Sequence, residues 1–244
     1  MTFSPEEFQI CTIARLLDQP DIKHIAVGAA SPIPGSAALL AQALAPKRLR
    51  VSIIHGDSNN PFTDGGRELF DCAGQGRIDV FFLGGVQIDG QANINLVGSG
   101  NYPQVDRRFP GSFGSAYMYF VVPKVVLFRL EHTRRVFVPK VDFISAPGVS
   151  EPGVERRGGP WVLLTERCLM SFDAKQKCFT LMSVHPGHSV EEVRDNTGFD
   201  IIVPQSVPET AVPEASSLTL IRTQIRVEIG KTYPEFISRL GVET

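Results

Sequence analysis

Apolar runs of strand length recur along the first half of the chain, and segments with helical spacing separate them. IKHIAVGAA, LRVSII and IDVFFLGG each read as a buried strand, and KVVLFRL follows later as another. SPEEFQICTIARLLDQ opens with a capping box, Ser4 as N-cap, Pro5 at the first helical position and Glu7 at the third. Phe8, Ile10 or Cys11, Ala14 or Arg15, and Leu16–Leu17 then follow helical spacing. SPIPGSAALLAQALAP reads as a loop feeding a small-residue helix that ends before Pro46, and RELFDCAGQ as a short helix. Strands alternating with helices in this way predict βαβ units, hence an α/β fold with an open, mainly parallel sheet.

The pattern then changes. In VQIDGQANINLV, Asp89–Gly90 is a hairpin signal, and Ala92, Ile94 and Leu96 alternate with Asn93 and Asn95. NYPQVDRRFPGSFGSA is a long Gly/Pro-rich loop, and loops of that length are usually functional or disordered. RRVFVPKVDFIS reads as a strand crossed by Pro139, which predicts an edge or an interruption. WVLLTERCLMSFDAKQKCFTLMSV predicts a hairpin turning at Asp173-Ala174-Lys175-Gln176. After HPGH, Ser189 with Glu192 gives a second capping box, starting a short helix that ends near Thr197–Gly198. Pro204 to Ser217 is Pro- and Ser-rich without periodicity and reads as a linker. The C-terminal segment beyond it is too short to be a domain alone. There is no internal repeat, and residues 1–244 are expected to form a single domain.

Composition narrows the function classes. The chain has 244 residues, 43% hydrophobic and 20% charged, enough for one large domain or two small ones. A net charge of -2 gives no reason to expect nucleic acid or an acidic membrane surface. Met1 to Asp18 lacks the apolar core of a signal peptide, and SPEE is acidic where a signal would be basic. YMYFVVPKVVLF is interrupted by Pro123–Lys124 and is too short to span a bilayer, so a cytoplasmic location is expected. The four cysteines form no C-x-x-C pair. Cys168 and Cys178 could face each other across the hairpin, but are expected to be reduced. His185 and His188 lack a third ligand, so no metal site is expected.

The candidate chemistry begins at LRVSIIHGDSNNPF, where a buried strand breaks into His55, Asp57, Asn59 and Asn60. Ligands of open α/β sheets bind at the carboxyl ends of parallel strands, which makes these four candidates for contact with substrate or attacking water. An Asx-rich turn that merely stabilises itself is the alternative. Gly84 and Gly85 end a strand, and Gly111, Ser112 and Gly114 lie in the long loop. Such glycines let backbone N–H groups approach a ligand or form an oxyanion hole, or else serve turn geometry. Asn93 and Asn95 could reach the same site or face solvent. Glu131, His132, Arg134 and Arg135 of EHTRR form an apparent acid–base cluster.

EHTRRVFVPKVDFISAPG, FLGGVQIDGQANINL, PGSFGSA and HPGHSVEEVRDNTGFD together resemble the β subunit of the family I CoA-transferases, from about Lys23 to Ile202. The resemblance implies an open sheet shared with a homologous α subunit, an active site at the junction of the two chains and an α2β2 heterotetramer. It implies no cofactor, the CoA being carried as part of the substrate, with the glycine motifs lining the CoA site. It also implies that EHTRR serves packing and subunit contact. In the family's transferases a Glu-Ser-Gly or Glu-Asn-Gly follows the second strand. Its Glu attacks an acyl-CoA thioester, giving a mixed anhydride and then a glutamyl-CoA thioester.

Here HGDS fills that slot. Gly56 takes the nucleophile position between His55 and Asp57, and no Glu precedes Glu68 except Glu6 and Glu7. In this the chain resembles the family's two-subunit hydrolases of bacterial steroid (cholesterol) catabolism, which open a steroid-derived ring as its CoA thioester. The resemblance then implies a hydrolase subunit of lipid metabolism, and the general base is expected on the α subunit. A conventional transferase using Asp57 or a partner carboxylate is the alternative. A non-catalytic subunit that completes the partner's pocket is a third. A lone β chain is expected to leave an apolar interface exposed.

Overall fold

The computed structural model describes residues 2–46, 48–56 and 58–240. It comprises two compact units, Met1–Phe82 with Ala211–Thr244 and Leu83–Thr210. In the first unit, α1 (Pro5–Leu17) begins with the predicted capping box. Ser4 Oγ accepts from Glu7 N at 3.2 Å, and Glu7 Oε2 accepts from Ser4 N at 2.9 Å. There follow β1 (His24–Val27), α2 (Pro32–Leu44), β2 (Arg50–Ile53), α3 (Gly66–Gly74) and β3 (Val80–Leu83). β1 runs parallel to both β2 and β3, with Ala26 opposite Ser52 and Ile25 opposite Val80. All four β1 residues are buried, which is why this strand reads as a nearly continuous apolar run. Its one polar member, His24, is satisfied by the Arg77 carbonyl at 2.7 Å and Ser52 Oγ at 2.8 Å.

In the second unit, β4 (Gln87–Ile88) and β5 (Ile94–Asn95) form the predicted hairpin, with Ala92 in the left-handed region at φ 59°. β6 (Gly98–Ser99) and β7 (Arg107–Arg108) make a small ribbon, and β7 lies inside the stretch expected to be all loop. Two-residue strands carry too little alternation to be read from sequence. α4 (Ser115–Val121), β8 (Lys124–Phe128), β9 (Pro160–Leu164), β10 (Cys168–Asp173), β11 (Cys178–Val184) and α5 (Val190–Asp195) complete the unit. β8 and β9 pair in parallel, whereas β9, β10 and β11 are antiparallel. Three of these five pairings (β1/β2, β1/β3, β8/β9) are thus parallel, and the fold is the expected α/β type.

Four local expectations are corrected. RRVFVPKVDFIS forms no strand: Ile88 N donates to Val136 O and Val138 N to Ile88 O, an isolated bridge, and Pro139 can donate nothing further. Cys168 and Cys178 do not face each other, because Cys168 lies opposite Val184 and Cys178 opposite Asp173 at the other end of the hairpin. Ser189 does cap α5, but Glu192 turns its carboxylate to His188 Nδ1 at 2.9 Å and to Arg167 instead of closing the box. The Pro204–Ser217 segment is not a free linker. Val184 N donates to Pro208 O and Thr210 N to Val184 O, so the chain lies along β11 before Ala215 enters a helix.

The chain then returns to the first unit as α6 (Ala215–Leu220), a π-helical turn (Ile221–Ile225) and α7 (Arg226–Thr232). Leu218, Ile221, Ile225 and Ile229 are its buried stripe. Gly35 of α2 admits this helix closely, since a Cβ there would stand 3.1 Å from Ile229 Cδ1. Arg222 clamps the return by a bidentate pair to Glu7 of α1, at 2.7 and 2.9 Å. Among the described residues no helix is long and apolar enough to cross a membrane.

Candidate functional site

The turn after β2 is built by its own backbone. Ile54 N donates to Val27 O as the last parallel rung, and Gly56 N folds back onto Ile53 O at 2.9 Å. Between them His55 sits at φ 61° with its side chain exposed. A non-glycine residue there costs about 1–2 kcal/mol and persists only where the surroundings impose it. Part of that constraint is Gly56: a Cβ at this position would lie 2.9 Å from Ile53 O and 3.2 Å from Ile53 Cβ. The slot that the family resemblance gives to a nucleophilic glutamate therefore has no side chain, and a Cβ there would crowd the turn's own backbone. Asp57 lies outside the described residues.

Beyond the turn, the Asn59 carbonyl accepts from Ile53 N at 2.9 Å. The Asn59 side chain reaches away from the turn, and Nδ2 donates to Glu228 Oε1 at 2.8 Å. Asn60 Oδ1 accepts from Phe62 N at 3.2 Å, an Asx turn of the kind weighed as the alternative. His55, Asn59 and Asn60 thus share one short turn at the carboxyl end of β2. Glu228 shares it too, and sequence spacing gave no sign of this because 169 residues separate it from Asn59.

In the second unit the glycines differ among themselves. A Cβ on Gly84 would stand 3.0 Å from Phe128 O, and one on Gly85 only 2.8 Å from Gln87 O and from Ile94 Cγ2. Both are needed by the approach of the chain to itself. Gly111 faces open space, and Ser112 O accepts from Ser115 N and Oγ where α4 begins at its N-cap Gly114. Phe113 between them is 92% exposed.

Asn93 and Asn95 are buried, which overturns the solvent-facing alternative for both. The side-chain amide of Asn93 is spent on Asp89 Oδ2 at 3.1 Å and on Gly148 N at 3.1 Å. These two bonds hold the hairpin. Asn95 likewise bonds Gln87 Oε1 and Gly98 O.

EHTRR is a packing element. His132 is wholly buried between Thr165 Oγ1 at 2.8 Å and Thr197 Oγ1 at 2.9 Å, while Glu131 pairs with Arg129 and Arg135. His185 is buried between Thr210 Oγ1 and the Thr165 carbonyl. Among the described residues no group of three or more His, Cys, Asp or Glu could hold a metal.

Burial lowers His132 and His185 from 6.5 to about 4. The unfolded chain binds these two protons below about pH 6.5, the folded chain only near pH 4. Stability should thus decline as pH falls through that window, by about 1.4 kcal/mol per pH unit for each histidine, and be insensitive to them above it. Urea midpoints measured from pH 8 to pH 4 check this, and a flat profile below pH 6.5 would contradict it.

The coenzyme A transferase family model matches residues 10–196, which is most of the chain. The chain belongs to the coenzyme A transferase family. Within it, the chain is 38% identical over 153 residues to the B subunit of 3-oxoadipate CoA-transferase of Pseudomonas knackmussii, covering 60% of this chain and 58% of that one. It is 29% identical over 160 residues to the IpdB subunit of the cholesterol ring-cleaving hydrolase of Rhodococcus jostii, covering 64% and 62%. The matched region spans less than two thirds of the length of these curated relatives. The crystal structure of Rhodococcus jostii IpdAB shares the fold, with a TM-score of 0.80 at 23% identity over 91% of this chain and 94% of that one.

Proposed function

We propose that this chain is the β subunit of an acyl-CoA hydrolase that opens a ring of a steroid-derived cyclic ketone, together with a homologous α subunit. The observation that carries this reading is the β2 turn. It has no carboxylate at the transferase slot, and a Cβ at Gly56 would crowd the Ile53 carbonyl oxygen at 2.9 Å. A scaffold of this family without its nucleophile can still bind an acyl-CoA and direct water at a carbonyl. Water adds to the ring carbonyl and the adjacent carbon–carbon bond breaks. Its electron pair moves to the carbon next to a second carbonyl as an enolate, which then takes up a proton. The carbonyl that was attacked becomes a carboxylate, and CoA stays attached.

In this reading His55, Asp57 and the Asn59–Asn60 turn meet the substrate or the attacking water, and the general base lies on the α subunit. A positioned acid–base group contributes about 10²–10⁴ in rate. Separately, we assign the open loop around Gly111, Ser112 and Gly114 to backbone contact with the acyl-CoA.

One observation favours a second reading, a conventional CoA-transferase: the transferase relative matches at 38% identity, the ring-cleaving relative at 29%. The fate of CoA separates the two. Co-expressed with its partner and given the ring acyl-CoA plus a free carboxylic acid, the complex should leave CoA on the ring-opened product. CoA recovered on the added acid would replace hydrolysis by transfer.

A further inference from the structure

The carboxylate of Glu228 faces the β2 turn from α7, one position before Ile229, whose packing against α2 fixes the helix. Its Oε1 accepts from Asn59 Nδ2 at 2.8 Å and its Oε2 from Lys231 Nζ at 2.8 Å. Lys231 Nζ also donates to Ser58 Oγ at 3.2 Å, so two residues of the turn are tied to one helical turn of α7. The hydrogen bond from Lys231, with those from Ser58 and Asn59, holds the Glu228 carboxyl below the usual carboxylate range.

An ionised carboxylate accepts and cannot donate. It therefore dictates which end of the Asn59 amide turns toward α7: the NH₂ end. The Asn59 main chain is already fixed by its bond to Ile53 N. Oδ1 is left as the other end of the amide, with no partner among the described residues. Half-buried and held at both backbone and side chain, Asn59 keeps Oδ1 as its acceptor, beside the second Nδ2 hydrogen.

We propose that Glu228 is a positioning residue: by holding Asn59 Nδ2 it turns Asn59 Oδ1 outward as a fixed acceptor for a hydrogen of the attacking water or of the substrate. This rests on the reading that the β2 turn serves the reaction. A water whose hydrogen is held by Oδ1 keeps its lone pair directed along one line. Displacing such a group by about 1 Å can cost about a hundredfold. The π-helical turn at Ile221–Ile225 lies directly before α7, where such turns often mark functional sites.

The test is a double-mutant cycle in the two-subunit complex, on whichever activity product analysis establishes, ring opening or CoA transfer. Asn59→Ala and Glu228→Ala should each lower kcat by about a hundredfold with KM little changed. The double variant should be no slower than Asn59→Ala alone, because Glu228 acts only through Asn59. Glu228→Gln, nearly isosteric, can offer Asn59 either a donor or an acceptor and so lets its amide flip. It should lose part of kcat with an unchanged melting temperature, and it carries the same comparison if Glu228→Ala does not fold. Losses that multiply in the double variant would overturn the proposal. So would an unchanged kcat in both Glu228 variants while Asn59→Ala is slow, which leaves the β2 turn in the reaction. If Asn59→Ala also turns over normally, the reading of the β2 turn fails first.

Discussion

Restoring a glutamate at the family's nucleophile position, as Gly56→Glu, should not install CoA transfer. The ideal Cβ at 56 falls 2.9 Å from the Ile53 carbonyl oxygen, the atom that accepts the turn's own bond from Gly56 N. Accommodating it means opening that turn, and His55 at φ 61° and Asn59, bonded to Ile53 N, would move with it. A displacement of about 1 Å at a reacting group can cost about a hundredfold, so the native turnover should fall by about that much. Assays of ring opening and of CoA transfer to a free acid, run side by side on the variant complex, check both halves. Robust transfer by the variant would mean that the slot is intact and only its side chain is missing.

The second large effect concerns stability. Arg222→Met should destabilise the first unit by about 1.5–3 kcal/mol, the range for hydrogen bonds to a charged group, because it weakens the hold on a buried carboxylate. Glu7 is fully buried and its carboxylate takes a bidentate guanidinium while also accepting Ser4 N. Without Arg222 that charge stays inside, and the return of the chain over α1 loses its clamp. Replacing both partners, Glu7→Gln with Arg222→Met, should recover much of the loss, since the cost lies in a buried charge that has lost its guanidinium. Urea denaturation of the two variants measures it. Equal midpoints for wild type and Arg222→Met would show that the pair contributes nothing net.

Legibility followed the range of the forces involved. The capping box at Ser4, the buried runs of β1, β2 and β3, and the hairpin at Asp173–Gln176 rest on local backbone preference and burial, and they stand as expected. RRVFVPKVDFIS alternates like a strand, yet it lends only an isolated bridge to Ile88, because ladder formation depends on a neighbour that sequence does not name. The Pro-rich stretch before Ala211 looks like a linker for the same reason: what orders it is the edge of β11.

The site divides similarly. His55, Asn59 and Asn60 were legible as polar residues following a buried strand. The roles of Gly85 and Asn93 were not, since a glycine admitting its own chain and an amide bonded inside a hairpin look identical in sequence to groups awaiting a ligand. Glu228 was invisible, one acidic residue on a C-terminal helix whose meaning comes from Asn59.

Hydrolysis of a carbon–carbon bond is tested most directly by oxygen labelling. The complex of this chain with its α subunit, given the steroid-derived ring acyl-CoA in ¹⁸O-labelled water, should yield a ring-opened acyl-CoA carrying ¹⁸O in a new carboxylate. A ring that stays closed while CoA passes to an added carboxylic acid would make the protein a transferase and contradict the account.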